Sequence, residues 1–159
     1  MRLQDAMEFM ITYGWAILIL AIALVTLYSL GVFKAGSTAP NICALPADVG
    51  CVNEALFPTG LLIINIQQAT PYTINVVAIG CNDKGLTNNA LIPLNVISPP
   101  VTISIGGNYT FNNIQCYSNY LPYGAPIGST YTGYIIVNYT DLSTGFQHTA
   151  QGSLIQQVK

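Results

Sequence analysis

Four cysteines, a single histidine and six carboxylates are the groups with which this 159-residue chain could do chemistry. Cys43, Cys51, Cys81 and Cys116 show no C-x₂₋₄-C spacing, and His148 is the only histidine, so the donor set of a zinc site does not assemble. Cys-x-x-Cys and haem-attachment patterns are missing, as are P-loop and dinucleotide glycine patterns. Asp83 lies in Asn82-Asp83-Lys84-Gly85, which is ordinary turn chemistry before it is a cation site. No catalytic residue, cofactor or metal is therefore expected, and the chain does not read as an enzyme. An even cysteine count points instead to two disulfides and an oxidising location. Three pairings are possible. The favoured one joins Cys43 with Cys51, closing a short loop, and Cys81 with Cys116, tying two strands.

Two further groups are open to modification. Asn108-Tyr109-Thr110 and Asn138-Tyr139-Thr140 are N-glycosylation sequons, which expect exposed positions in an exported protein. Tyrosines at 109, 117, 120, 123, 131, 134 and 139 read as sheet faces and subunit contacts ahead of sugar-stacking platforms.

Composition narrows the class. The chain is 52% hydrophobic and 6% charged, where about a quarter charged is usual for a soluble domain. Its net charge is -2, and Arg2, Lys34, Lys84 and Lys159 form no basic cluster, so nucleic acid is not an expected partner. High hydrophobicity argues against disorder. What remains is a membrane protein, or a protein covered by copies of itself or by sugar.

The elements that must position these groups fall into two kinds. Residues 9–33, FMITYGWAILILAIALVTLYSLGVF, carry no charge and no recurring polar face. A helix of that length spans roughly 37 Å, enough for a bilayer core of about 30 Å. Being apolar all round, it must be surrounded by lipid or by other helices. KAGSTAPN then reads as a linker. Beyond it come short stretches rich in Ile, Val, Thr and Tyr: 61–67, 72–81, 90–97, 101–105, 108–112, 131–140 and 152–158. Turn signals separate them at 70–71, 82–85, 98–100 and 105–108. The expected class is α+β, a long N-terminal apolar helix followed by an antiparallel, Ig-like β-sandwich or small barrel. The expected boundaries are a short leader at 1–3, the helix at 4–34, a linker at 35–40 and an extracellular β-domain at 41–159.

The segment Gln4-Asp5-Ala6-Met7-Glu8-Phe9-Met10-Ile11-Thr12-Tyr13-Gly14-Trp15-Ala16-Ile17 resembles the start of archaeal type IV pilins with a class III signal peptide. The resemblance covers about the first 33 residues, a fifth of the chain. It implies processing between Leu3 and Gln4 by a prepilin peptidase, although the family usually has Gly where this chain has Leu3. Glu8 stands four residues after Gln4, as in the family. That position implies a carboxylate holding the free amino terminus of a neighbouring subunit, with Phe9, Tyr13 and Trp15 packing in the assembled helices. The implied function is a major pilin of an adhesive extracellular filament, inserted in the membrane before an ATPase-driven platform assembles it with identical subunits. N-glycans are possible additions. The alternatives are a single-pass anchored β-domain that binds sugar or protein, and an archaellum-type or minor pilin.

Overall fold

The computed structural model describes the backbone of residues 2–30, 40–86 and 93–159, and in the helix the side chains of residues 11 and 13–30. The chain divides into two compact units, Met1–Thr38 and Ala39–Lys159.

The first unit is helix α1 (Arg2–Ser29). It begins inside the expected leader, because Arg2, Leu3 and Gln4 are good helix formers and neither Gly nor Pro interrupts them. Two of its described hydroxyls turn inward to the backbone: Thr26 Oγ1 donates to the Ala23 carbonyl at 2.8 Å, and Ser29 Oγ to the Thr26 carbonyl at 2.8 Å. Among the described residues no helix is long and apolar enough to cross a membrane. The end of the apolar run at 31–33, and most of the expected linker, lie outside the described residues.

The second unit is a nine-stranded sheet: β1 (Ile42–Ala44), β2 (Val49–Leu56), β3 (Leu61–Gln68), β4 (Ile74–Asn82), β5 (Leu94–Ile103), β6 (Asn108–Ser118), β7 (Leu121–Pro122), β8 (Thr130–Asp141) and β9 (Gln147–Gln157). The order along the sheet is β1-β9-β8-β4-β6-β3-β2, with β5 on β4 and β7 on β6. Pairing is antiparallel except for a short parallel step between β4 and β6, where Cys81 faces Cys116 and Asn82 faces Tyr117.

The expected Ig-like sandwich of two separate sheets is corrected to one curved sheet that nearly closes as a barrel. The β4–β6 step makes the path continuous, and β2 at one end meets the residue that follows β9 near the other, where Leu56 bridges Val158. Inward positions follow the period of two: Leu62, Ile64, Ile66 and Gln68 on β3, and Tyr131, Ile135, Val137, Tyr139 and Asp141 on β8. On β4 a register shift between Val76 and Ala78 changes the inward set from Ile74 and Val76 to Ile79 and Cys81.

Three strands escaped the sequence reading. β1 and β7 are too short to show a period, and β2 (VGCVNEAL) carries little β-branched weight. The break expected at 98–100 is instead strand, with Pro99 and Pro100 in β5. Within the sheet β5 pairs only with β4, and a strand with one neighbour tolerates residues that lack an N–H. Residues 90–92 of the stretch expected at 90–97 lie outside the described residues.

Candidate functional site

The expected site residues fall into three groups that the fold keeps apart. Leu3, Gln4, Glu8 and Phe9 are on α1, their side chains outside the described residues. Tyr13 and Trp15 follow on the same helix, Trp15 with 68% of its surface exposed. Every described side chain from 13 to 30 is exposed in the chain taken alone. Along one face Gly14, Leu18, Ala21 and Val25 leave a shallow groove, since Gly and Ala fill little space between the longer side chains.

The second group is the cysteines. Cys43 pairs with Cys51 and Cys81 with Cys116, at Cα separations of 5.9 and 4.5 Å. The first bond fastens the short strand β1 to β2, and the second fastens the parallel step between β4 and β6. Among the described residues Cys43, Cys51 and Glu54 are the one group whose ligand atoms converge within 4.8 Å. Both sulfurs are spent in the disulfide, so no thiolate is left for a metal.

The third group is the sequons, and the fold treats them differently. Asn108 opens β6 with its side chain exposed. Asn138 is half-buried in β8, between Ala78 of β4 and Thr149 of β9, and its Oδ1 is sequestered from solvent without a hydrogen bond.

Asp83 is committed to the turn, as its sequence suggested. Asn82 Oδ1 accepts hydrogen bonds from the Lys84 N–H at 3.0 Å and the Gly85 N–H at 2.5 Å. Gly85 takes φ +66°, open to a residue without a Cβ. Asp83 Oδ2 accepts from Ser118 Oγ and from the Asn119 N–H, both at 3.0 Å. Those bonds pin the β6–β7 turn, where Asn119 and Tyr120 both take positive φ and Tyr120 is 55% exposed. The Lys84 ammonium lies 5.8 Å from the centre of that ring.

At the other end of β4 the fold assembles a cleft that sequence reasoning missed. Asp48, Thr70, Pro71, Tyr72, Ile74, Tyr139, Asp141 and His148 line about 200 Å³. Three loops build its rim and are bonded to one another: the Ala69 N–H donates to the Asp48 carbonyl at 3.0 Å and the Leu142 N–H to the Thr73 carbonyl at 3.1 Å. Beneath them the buried Gln68 amide donates to the Thr70 and Tyr72 carbonyls and to Thr70 Oγ1, while its Oε1 accepts from the Gly106 N–H. The Tyr139 and His148 rings stack with centres 5.4 Å apart.

Charge in the cleft is of one sign. Its lining holds two carboxylates and neither Lys nor Arg. Burial raises the Tyr139 phenol above its ordinary value, and the charges of Asp48, which also accepts its hydroxyl at 3.4 Å, and of Asp141 add to that. Desolvation works to raise the Asp141 carboxyl, yet hydrogen bonds from Ser143 and Thr144 outweigh it and hold the group below the usual range. These residues are scattered from position 48 to 148, so no local motif could have announced the cleft.

Neither a protein-family model nor a curated protein matches this chain.

Proposed function

We propose that this chain is the structural subunit of an archaeal type IV pilus-like extracellular filament, polymerising through its N-terminal helix and serving surface adhesion. The observation that carries the reading is the helix surface. From Trp15 to Val25 the sequence is WAILILAIALV, and all of it is exposed in the chain taken alone. At roughly 25 cal/mol per Å², covering the large apolar side chains of such a helix is worth tens of kcal/mol as an upper bound. Copies of the same helix can cover it on every side, and the resulting bundle would resist dissociation strongly in water.

The resemblance of residues 4–17 to archaeal type IV pilins supplies the rest of the cycle. The segment 9–33 is held in the cell membrane first, a peptidase acts between Leu3 and Gln4, and an ATPase-driven platform lifts the helix into the bundle. Leaving lipid for other helices gains little hydrophobic free energy, so close packing at Gly14 and Ala21 must hold the product. Two disulfides accord with an outer, oxidising location for the β-domain. The low charge accords with domains that bury much of their surface against identical neighbours.

Electron microscopy and mass spectrometry of sheared cell-surface material test the reading. Filaments built mainly of this polypeptide are expected. Single copies retained wholly with membranes would instead identify an anchored binding domain, which the cleft at Asp48 and Asp141 would also suit.

A further inference from the structure

We infer that the two ends of the β-domain are complementary, and that the cleft of Asp48, Asp141, Tyr72 and His148 receives the Lys84 ammonium of a second copy of this chain. The inference rests on the filament reading and adds a contact between outer domains that the helix does not provide.

The cleft selects the chemistry of its occupant. Two carboxylates without a Lys or Arg beside them favour a cation. A bare metal ion fits poorly, because among the described residues Asp48, Asp141 and His148 do not bring three ligand atoms within 4.8 Å of one another. Spread around a cleft of about 200 Å³ with the exposed ring of Tyr72 and the stacked Tyr139–His148 pair, the acids suit an ammonium on an alkyl stem. The charge reaches the carboxylates while the methylenes cover aromatic faces.

The chain carries such a group at its opposite end. β4 begins at Ile74, in the cleft lining, and ends at Asn82, where Lys84 follows in the turn. Eight steps of strand separate the two ends by roughly 25 Å. Lys159 lies at the Lys84 end as well, since β9 finishes at Gln157 opposite Thr130, beyond the Tyr134–Asn82 pair. Lys84 is exposed and rests on Tyr120, in a turn held by Asp83. A contact between unlike ends does not close on itself as a two-fold dimer does. Unless its rotation closes into a ring, it propagates as an open helix, the geometry a filament requires.

Zero-length carbodiimide coupling of the assembled full chain, followed by peptide mass spectrometry, tests this. Within one chain the amine and the cleft are a strand's length apart, so a Lys84-to-Asp48 or Lys84-to-Asp141 amide reports two copies. That link is expected. Lys84→Asp alone removes the reacting amine and Asp48→Lys alone one reacting carboxyl, so the informative variant carries both: it should restore the link between the same two positions with the roles of amine and carboxyl exchanged, and its absence there would overturn the contact. Both positions are exposed, so the variants leave the core intact. Polymers without the link would overturn this contact and leave the filament reading standing. So would cleft carboxylates that couple to added glycine ethyl ester as freely in polymer as in detergent-dispersed chain, since the cleft would then be open to a free amine. A chain that never polymerises sinks both.

Discussion

The two disulfides do unequal work, and the inequality can be measured. Each cross-link removes freedom from the unfolded chain in proportion to the logarithm of the loop it closes. Cys43 and Cys51 are separated by 8 residues, Cys81 and Cys116 by 35. On the chain-entropy relation the short loop contributes about 2.5 kcal/mol and the long one about 3.8 kcal/mol at room temperature. Burial widens the gap. Cys81 and Cys116 are fully buried in the core, while Cys43 and Cys51 are only half-buried at its margin. Replacing the inner pair by alanine therefore also removes packed sulfur and leaves small voids. Position matters too: the inner bond fastens the parallel step at Cys81 and Asn82 through which the sheet passes from β4 to β6.

We expect Cys43→Ala with Cys51→Ala to destabilise the β-domain by about 2–3 kcal/mol, and Cys81→Ala with Cys116→Ala by about 4–5 kcal/mol. The assay is guanidinium unfolding of the full chain in mild detergent, followed by circular dichroism near 215 nm, where the sheet dominates the change. A larger loss from the outer pair, or equal losses from both, would refute the argument. Either result would show that loop length and burial are not what sets the contribution of these bonds.

Three further outcomes follow from the same structure. Ile17→Asp places an unpaired carboxylate on the helix proposed to form the filament core, at about 3–5 kcal/mol per buried charge; surface filaments should be lost while the unfolding midpoint of the β-domain stays put, and unchanged filament yield would count against helix-driven assembly. Glycopeptide mapping of native material should find higher occupancy at the exposed Asn108 than at Asn138, which is half-buried in the middle of β8 with its carboxamide oxygen sequestered; equal or greater occupancy at Asn138 would show that exposure in the folded sheet does not govern the modification. Asp141, held below the ordinary carboxyl range by Ser143 and Thr144, contributes stability at pH values above its unfolded value near 4 and loses it as pH falls through the lower folded value. Asp141→Asn should therefore flatten the acid limb of a stability–pH curve below about pH 4, and an acid limb identical to the parent's would refute that.

Legibility in the sequence followed the range of the interactions. The apolar helix was readable because 9–33 carries its signal in every residue. β3, β4, β8 and β9 were readable because alternation is local, and turns at 70–71, 82–85 and 105–108 because Gly, Pro, Asn and Asp act on their own backbone. Three-residue β1 has no room for a period, and what makes it a strand is register with β9 and the bond from Cys43 to Cys51. A small barrel was among the expected forms, but the contacts that close it were illegible for the same reason. Closure depends on Leu56 meeting Val158 and Cys81 meeting Cys116, contacts of long sequence separation that no window contains.

The cleft is the extreme case, and it shows where unnoticed sites should be sought in chains this poor in charge. Asp48, Tyr72, Asp141 and His148 each sit in a separate loop or strand end, and each alone is an ordinary polar residue near a turn. Only backbone bonds from Ala69 to Asp48 and from Leu142 to Thr73, with the buried Gln68 amide beneath, bring them to one place. A charge deficit makes such convergence informative. Asp48 and Asp141 are two of only six acids in the chain, and Lys84 is one of only four bases. When so few charges are kept, two acids gathered at one end of a strand and an exposed lysine beside an aromatic ring at the other are more economically explained by a partner than by solubility. A partner that brings a cation to one end and accepts a lysine at the other fits both, which is the ground for proposing a second copy of this chain.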